Sequence, residues 1–283
     1  MMAQYHQIKK SFPEAILFFR LGDFYEMFFE DAVLAARELE ITLTSRNKEK
    51  GISVPMCGIP QHSADTYISK LIRKGHRVAI CEQVEDPKTT KKLVKREVTR
   101  VVTPGTLSDG NLLEPRKNNF LTAVWLNQQG IGLASIDVST GDFRLTEFKN
   151  GSRYEMLQTE LERLRPKELI WDSNTSNQKP HWAENIPVLK TIVEEWTFAS
   201  DYAERLLTSH LQVVSLDGFG CQGRELAISA AGGALHYLKE TQGGTLRHLD
   251  HLSYYEVEDS LILDQSTVKN LELVESLFDG SSQ

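Results

Sequence analysis

Two carboxylates and two aromatic rings occupy four consecutive positions, Asp23-Phe24-Tyr25-Glu26, directly after Arg20-Leu21-Gly22. The D-x-x-E spacing is that of a helix start. Asp23 would accept from the amide three residues on, and Glu26 would return a bond to the Asp23 amide. Phe24 then stands at the first helical position, at the mouth of the helix. Two chemistries fit these residues. In one, a capping box is followed by core aromatics. In the other, an exposed apolar ring with a carboxylate beside it is a wedge. Such a ring can enter a minor groove and unstack a base step at a cost of about a few kcal/mol, a cost lowest where pairing is already broken. The residues alone leave both open.

Other groups carry weaker chemistry. Asp137 lies on a strand where RNase H-like nucleases place a metal-binding carboxylate. Two-metal hydrolysis needs several convergent carboxylates, and the neighbouring pattern offers Asp172 and little else. A metal-dependent nuclease is therefore the alternative reading. His248 and His251, in Arg-His-Leu-Asp-His-Leu, lack an evident third ligand for a metal site. Lys91, Lys92, Lys95 and Arg96 form a basic run that could follow phosphates, although such runs are more often solvated faces. No G-x-x-x-x-G-K-[ST] phosphate loop occurs in the sequence.

The elements that must position these residues alternate in type. Ile16–Leu21 reads as a strand, and 24–39 has apolar residues at helical spacing (Phe24, Phe28, Val33, Leu34, Leu39). Strands are expected at 41–44, 54–59, 78–84 and 97–102, a polar hairpin loop at 45–53, and a helix over 63–74 stopped by Gly75. Pro, Gly, Ser, Asp and Asn collect between Pro104 and Pro115 and mark a linker. Beyond it, strands at 120–126, 131–138 and 143–148 form an antiparallel meander. A helix at 154–164, strands at 168–171 and 188–193 and two further helices follow. The fold class is α/β (α+β). The expected division is a mixed-sheet domain over 1–103, a linker over 104–116, an RNase H-like domain over 117–242 and the start of a helical core over 243–283, with a helix at 271–277.

Charge divides the chain at the same place. Residues 1–103 hold seventeen Lys and Arg against thirteen Asp and Glu, whereas the whole chain carries −7. The first segment tolerates a polyanion, and the remainder on average repels one. Three separated cysteines, with no CxxC spacing, point to a reduced compartment. The N-terminus has no signal-peptide pattern and no apolar run is long enough to span a bilayer, so a cytoplasmic protein with no membrane contact is expected.

The string GDFYEMFFEDA resembles the mismatch-reading signature of bacterial MutS-type DNA mismatch repair proteins. VPMCGIPQHSADTYISKLI, RVAICEQVEDP, REVTRVVTPGT, IGLASIDVSTGDFRL and LDGFGCQ are similar to further blocks of that family, in family order. The sequence departs from the family at Cys57, Gln61, Val268 and Lys269, and keeps Phe24 and Glu26. The resemblance implies an N-terminal piece comprising the mismatch-recognition domain, the connector and the beginning of the core. It implies that Phe24 stacks on a mispaired base from the minor groove, that Glu26 hydrogen-bonds that base, and that Arg46 and His62 contact DNA. Implied partners are double-stranded DNA with mismatches or small loops and a MutL-type protein, with homodimerisation in the full-length family. ATP and Mg²⁺ belong to a site far C-terminal in that family. No enzyme activity and no cofactor are expected of this chain.

Overall fold

The computed structural model describes residues 1–46, 53–85, 94–108, 113, 117–149, 151–177, 181–184, 186–243 and 246–257. The first sheet has six strands: β1 (Ala15–Leu21), β2 (Phe24–Phe28), β3 (Thr44–Arg46), β4 (Val54–Pro60), β5 (Arg77–Gln83) and β6 (Arg96–Val102). Their order is β3-β4-β2-β1-β5-β6. β1 and β5 are parallel and the other pairs antiparallel. Helices α1 (Met2–Ser11), α2 (Phe29–Leu39) and α3 (Ala64–Arg73) cover its two faces. Alternation along the strands sends Ile16, Phe18, Tyr25 and Met27 to the α2–α3 side, and Leu17, Phe19 and Phe28 to the α1 side.

Helical spacing over 24–39 misreads the first part of that segment. Residues 24–28 are a strand, and the helix starts only at Phe29. Phe29 adopts φ 57°, a left-handed conformation unfavourable for an aromatic residue, and this turns the strand straight into the helix. The four-residue interval between Phe24 and Phe28 fits either period over so short a run. The helix-capping role expected of Asp23 and Glu26 falls with it. The strand expected at 41–44 begins at Thr44. Helix α1 was not legible because its apolar positions, Met2, Tyr5 and Ile8, are few among polar residues; only Tyr5 is buried, and Met2 and Ile8 are partly buried against the same cluster. Polar contacts to Asp31 add to that packing: Asp31 accepts from the Tyr5 hydroxyl at 2.9 Å, Lys9 Nζ at 2.7 Å and the Leu17 amide at 3.0 Å.

The second sheet contains β7 (Phe120–Asn127), β8 (Gly130–Asp137), β9 (Asp142–Phe148), β10 (Glu168–Asp172), β11 (Leu189–Val193) and β12 (Ser253–Tyr254), in the order β11-β10-β7-β8-β9-β12. The expected meander β7-β8-β9 is antiparallel, and β10, β11 and β12 join in parallel. Helix α4 (Arg153–Leu164) packs on one face. Short helices α5 (Ser173–Asn177) and α6 (His181–Glu184) lie between β10 and β11. Helices α7 (Ser200–Leu211) and α8 (Glu225–Gln242) cover the other face. Leu246, Leu249 and Leu252 join the core under α7 and α8. The helix expected at 271–277 and most of the expected helical core lie outside the described residues.

Candidate nucleic-acid interface

A two-residue turn, Gly22-Asp23, joins β1 to β2, with Leu21 facing Phe24 across the hairpin. Gly22 takes φ 59°, the conformation that a glycine-first hairpin turn requires. Neighbouring groups pin the turn on both sides. Arg20 Nε donates to the Gly22 carbonyl at 2.5 Å, Arg96 Nε donates to the Arg20 carbonyl at 2.7 Å, and the Gln61 amide donates to the Asp23 carbonyl at 2.9 Å. The Tyr25 hydroxyl donates to Glu82, and Arg20 stacks over the Tyr25 ring. Burial and the Glu82 carboxylate push the Tyr25 hydroxyl up to about 12, so it stays a donor.

This frame presents Phe24 at the end of the strand, 48% exposed. Glu26, two residues on, lies on the same face of β2, and Phe28 continues that face into the core against Tyr5. Phe24 therefore emerges where α1 no longer covers the sheet. Glu26 is only 20% exposed, and Arg46 Nη1 stands 3.5 Å from its Oε2. That oxygen accepts no hydrogen bond from the described residues. Burial raises the Glu26 carboxyl above the usual carboxylate range, and the Arg46 charge opposes the rise. β3 brings Arg46 to this place by pairing with Val54 of β4, while Gly58 of β4 faces Glu26 and leaves room above it. His62 is exposed in the 3-10 turn after β4, two residues beyond Pro60, the β4 partner of Phe24.

The structure thus brings Phe24, Glu26 and Arg46 onto one face and sets His62 at the same end of the sheet. Sequence reasoning missed the bracing residues Arg20, Tyr25, Glu82 and Arg96. The only local signal was a charge beside a hairpin glycine. Arg96, counted in the basic run, is 6% exposed; it bonds the Arg20 and Val94 carbonyls and stacks on Phe19. It holds the hairpin rather than facing solvent. Lys95 pairs with Glu97, and Lys91 and Lys92 lie outside the described residues.

The carboxylates of the nuclease alternative are engaged locally. Asp137 accepts from the Asn119 amide (2.8 Å), the Ser139 amide (2.9 Å) and the Ser139 hydroxyl (2.6 Å). Asp172 accepts from the Thr175 amide and hydroxyl. Both are 1% exposed, so they act as turn and helix-start acceptors inside the domain. The imidazole of His248 donates to the Val138 carbonyl at 2.8 Å, and the His251 ring lies against Phe219.

A mixed sheet with an aromatic–carboxylate pair at one end, followed by a sheet of RNase H-like arrangement, defines a two-domain α/β module. Residues 1–111 match the family model of MutS domain I and residues 119–252 that of MutS domain II. The chain belongs to the MutS family. It is 52% identical to the DNA mismatch repair protein MutS of Solibacter usitatus over 278 residues, which are 98% of this chain and 32% of that protein. It is 48% identical to the protein of the same name from Symbiobacterium thermophilum, over 99% of this chain and 32% of the relative. The counterpart from Alkaliphilus metalliredigens is 45% identical, with 98% and 32% covered. The chain spans about a third of the length of these relatives.

Proposed function

We propose that this chain is the mismatch-reading and connector part of a DNA mismatch repair protein, acting in the cytoplasm on double-stranded DNA with mismatches or small loops. The observation that carries the reading is the half-exposed Phe24, held on a braced hairpin and sharing a strand face with Glu26. Phe24 enters the minor groove and stacks on the mispaired base. Stacking contributes about 1–3 kcal/mol per base and tolerates any base, as a reader of many mismatches requires. Glu26 hydrogen-bonds the displaced base. Burial shifts its pKa upward, so the carboxyl takes up a proton more readily than an exposed one, and the protonated form can donate and does not repel phosphates. Arg46, already beside Glu26, and the exposed His62 contact the backbone. Wedges of this kind kink the duplex by about 20–90°, so deformability of the mismatched site adds to selection.

The second domain relays this state to an ATPase and docks a MutL-type partner in a longer, homodimeric protein that binds ATP and Mg²⁺. This chain itself acts as a binder and not as an enzyme. Among the described residues no helix is long and apolar enough to cross a membrane. The test is a competition titration of mismatched against matched duplex at fixed salt, since the non-specific part of binding is salt-dependent. A tighter hold on the mismatched duplex supports the reading, and equal affinity at every salt concentration refutes it.

A further inference from the structure

Glu168 opens β10 and is 0% exposed. A carboxylate offers about four acceptor sites, and here four donors meet it. Oε1 accepts from the Thr191 hydroxyl at 2.6 Å and the Tyr237 hydroxyl at 2.8 Å. Oε2 accepts from the Thr103 hydroxyl and from the Gly105 amide at 3.2 Å. Thr191 and Tyr237 belong to β11 and α8 of the second domain. Thr103 and Gly105 belong to the segment leaving β6 of the first sheet. One buried carboxylate therefore ties the exit of the reading domain to two elements of its neighbour. A buried carboxylate is costly unless hydrogen-bonded, and this one reaches its full complement only with the two domains joined.

The network continues on the far side. Thr191 Oγ1 accepts from Arg77 Nη2 at 2.9 Å, and Arg77, the first residue of β5, also bonds the Lys190 carbonyl at 3.0 Å and pairs with Glu14. At the end of α8, Gln242 Nε2 donates to the Val101 carbonyl of β6 at 3.2 Å. Gly105 fits because it lacks a side chain: a Cβ there would lie 2.7 Å from Glu168 Cβ. The joint thus spans β5, β6 and the following turn on one side, and β10, β11 and α8 on the other.

We propose that Glu168 is a positioning residue for mismatch reading: it fixes the orientation of the first sheet on the second domain, and so sets where Phe24 is presented. The proposal rests on the function argued above for Phe24. Its test has an arm that does not depend on DNA. Spin labels on cysteines introduced at the exposed positions Val33 and Gln158 report the distance between the domains, the three native cysteines being buried. The native chain should give one narrow distance. Glu168→Gln replaces one acceptor with an N–H donor facing existing donors. It should spread that distance and lower the mismatched-to-matched affinity ratio, with matched binding retained. Thr103→Val removes a single donor across the joint and should do the same, whereas Thr103→Ser keeps the hydroxyl and should behave as native.

An unchanged distance in both Glu168→Gln and Thr103→Val overturns the proposal, as does equal broadening in Thr103→Ser and Thr103→Val. If Glu168→Gln strips amide protection from the whole second sheet, Thr103→Val alone decides. If the native chain shows no mismatch preference, the assignment of Phe24 fails, while the distance still decides whether Glu168 sets the geometry.

Discussion

Truncating Phe24 separates a wedge from a core aromatic, because the structure gives the two roles different energies. Phe24 is 48% exposed, whereas Phe28, four residues along the same strand, is 0% exposed. Full burial of a phenylalanine side chain stabilises by about 1.5–3 kcal/mol, so Phe24→Ala forgoes about half of that, about 1 kcal/mol. A core truncation such as Phe28→Ala costs about 3–5 kcal/mol. In a domain of about 100 residues Tm falls by about 4–8 °C per kcal/mol, and the two variants are readily told apart by thermal melting. On DNA the order reverses. Loss of a base stack worth about 1–3 kcal/mol weakens binding to mismatched duplex by about 5- to 150-fold, at about 1.4 kcal/mol per tenfold. Matched duplex, held through its phosphates, should be bound as before.

The assay is competition anisotropy with mismatched and matched duplexes at two salt concentrations, beside thermal melts of native chain, Phe24→Ala and Phe28→Ala. A melting temperature lowered as far as that of Phe28→Ala, with the affinity ratio intact, would refute the reasoning and return Phe24 to the core.

Three further outcomes are expected. Glu26→Gln should raise affinity for matched duplex, change mismatched binding less, and lower the ratio, with the gain shrinking as salt increases. Because burial raises the Glu26 pKa, the native carboxyl takes up its proton at higher pH than an exposed one. Matched-duplex affinity should therefore climb as pH falls through that value and be flatter in Glu26→Gln; identical pH profiles count against the role. Asp31→Ala removes an acceptor from the Tyr5 hydroxyl, Lys9 and the Leu17 amide, of which Tyr5 keeps the Phe28 carbonyl and Lys9 the Ala15 carbonyl. At about 1–3 kcal/mol for a buried donor left unpaired, urea denaturation should show a loss of about 1–3 kcal/mol. Calorimetry with ATP should show no saturable binding to this chain, and micromolar affinity would mean that a nucleotide site had gone unread.

What the sequence made legible follows from the kind of signal each element carries. The meander β7-β8-β9 announces itself through long apolar runs broken by turn residues, and α3 through an apolar face that ends at Gly75. The segment at 24–28 does not, because five residues are too few to separate a period of two from one of 3.6. Helix α1 is fixed in part by Asp31 from a distant element, and Glu168 by donors from three separate parts of the chain. Spacing along the sequence encodes neither. Phe24 and Glu26 were legible as residue types, and Arg46 as a position. Their shared face, and the bracing by Arg20 and Arg96, exist only once the strands have paired.

That shared face is what makes a two-residue reader coherent. On a helix, residues two apart do not face each other, so a helical Phe24 and Glu26 would point to different sides and could not both address one base. On β2 they project from the same side of the sheet, about 7 Å apart at about 3.4 Å per residue. A ring inserted into the stack then has a carboxyl beside it within reach of the base edge. Arg46 counters the charge from the neighbouring strands at 3.5 Å. When a phosphate draws Arg46 away, the carboxyl loses the charge that lowers its pKa, and protonation becomes easier as DNA arrives. Arg46→Ala should accordingly shift the pH dependence of matched-duplex binding upward while leaving Phe24 exposed as before. A profile unmoved by this change would separate Arg46 from Glu26 and leave the carboxyl governed by burial alone.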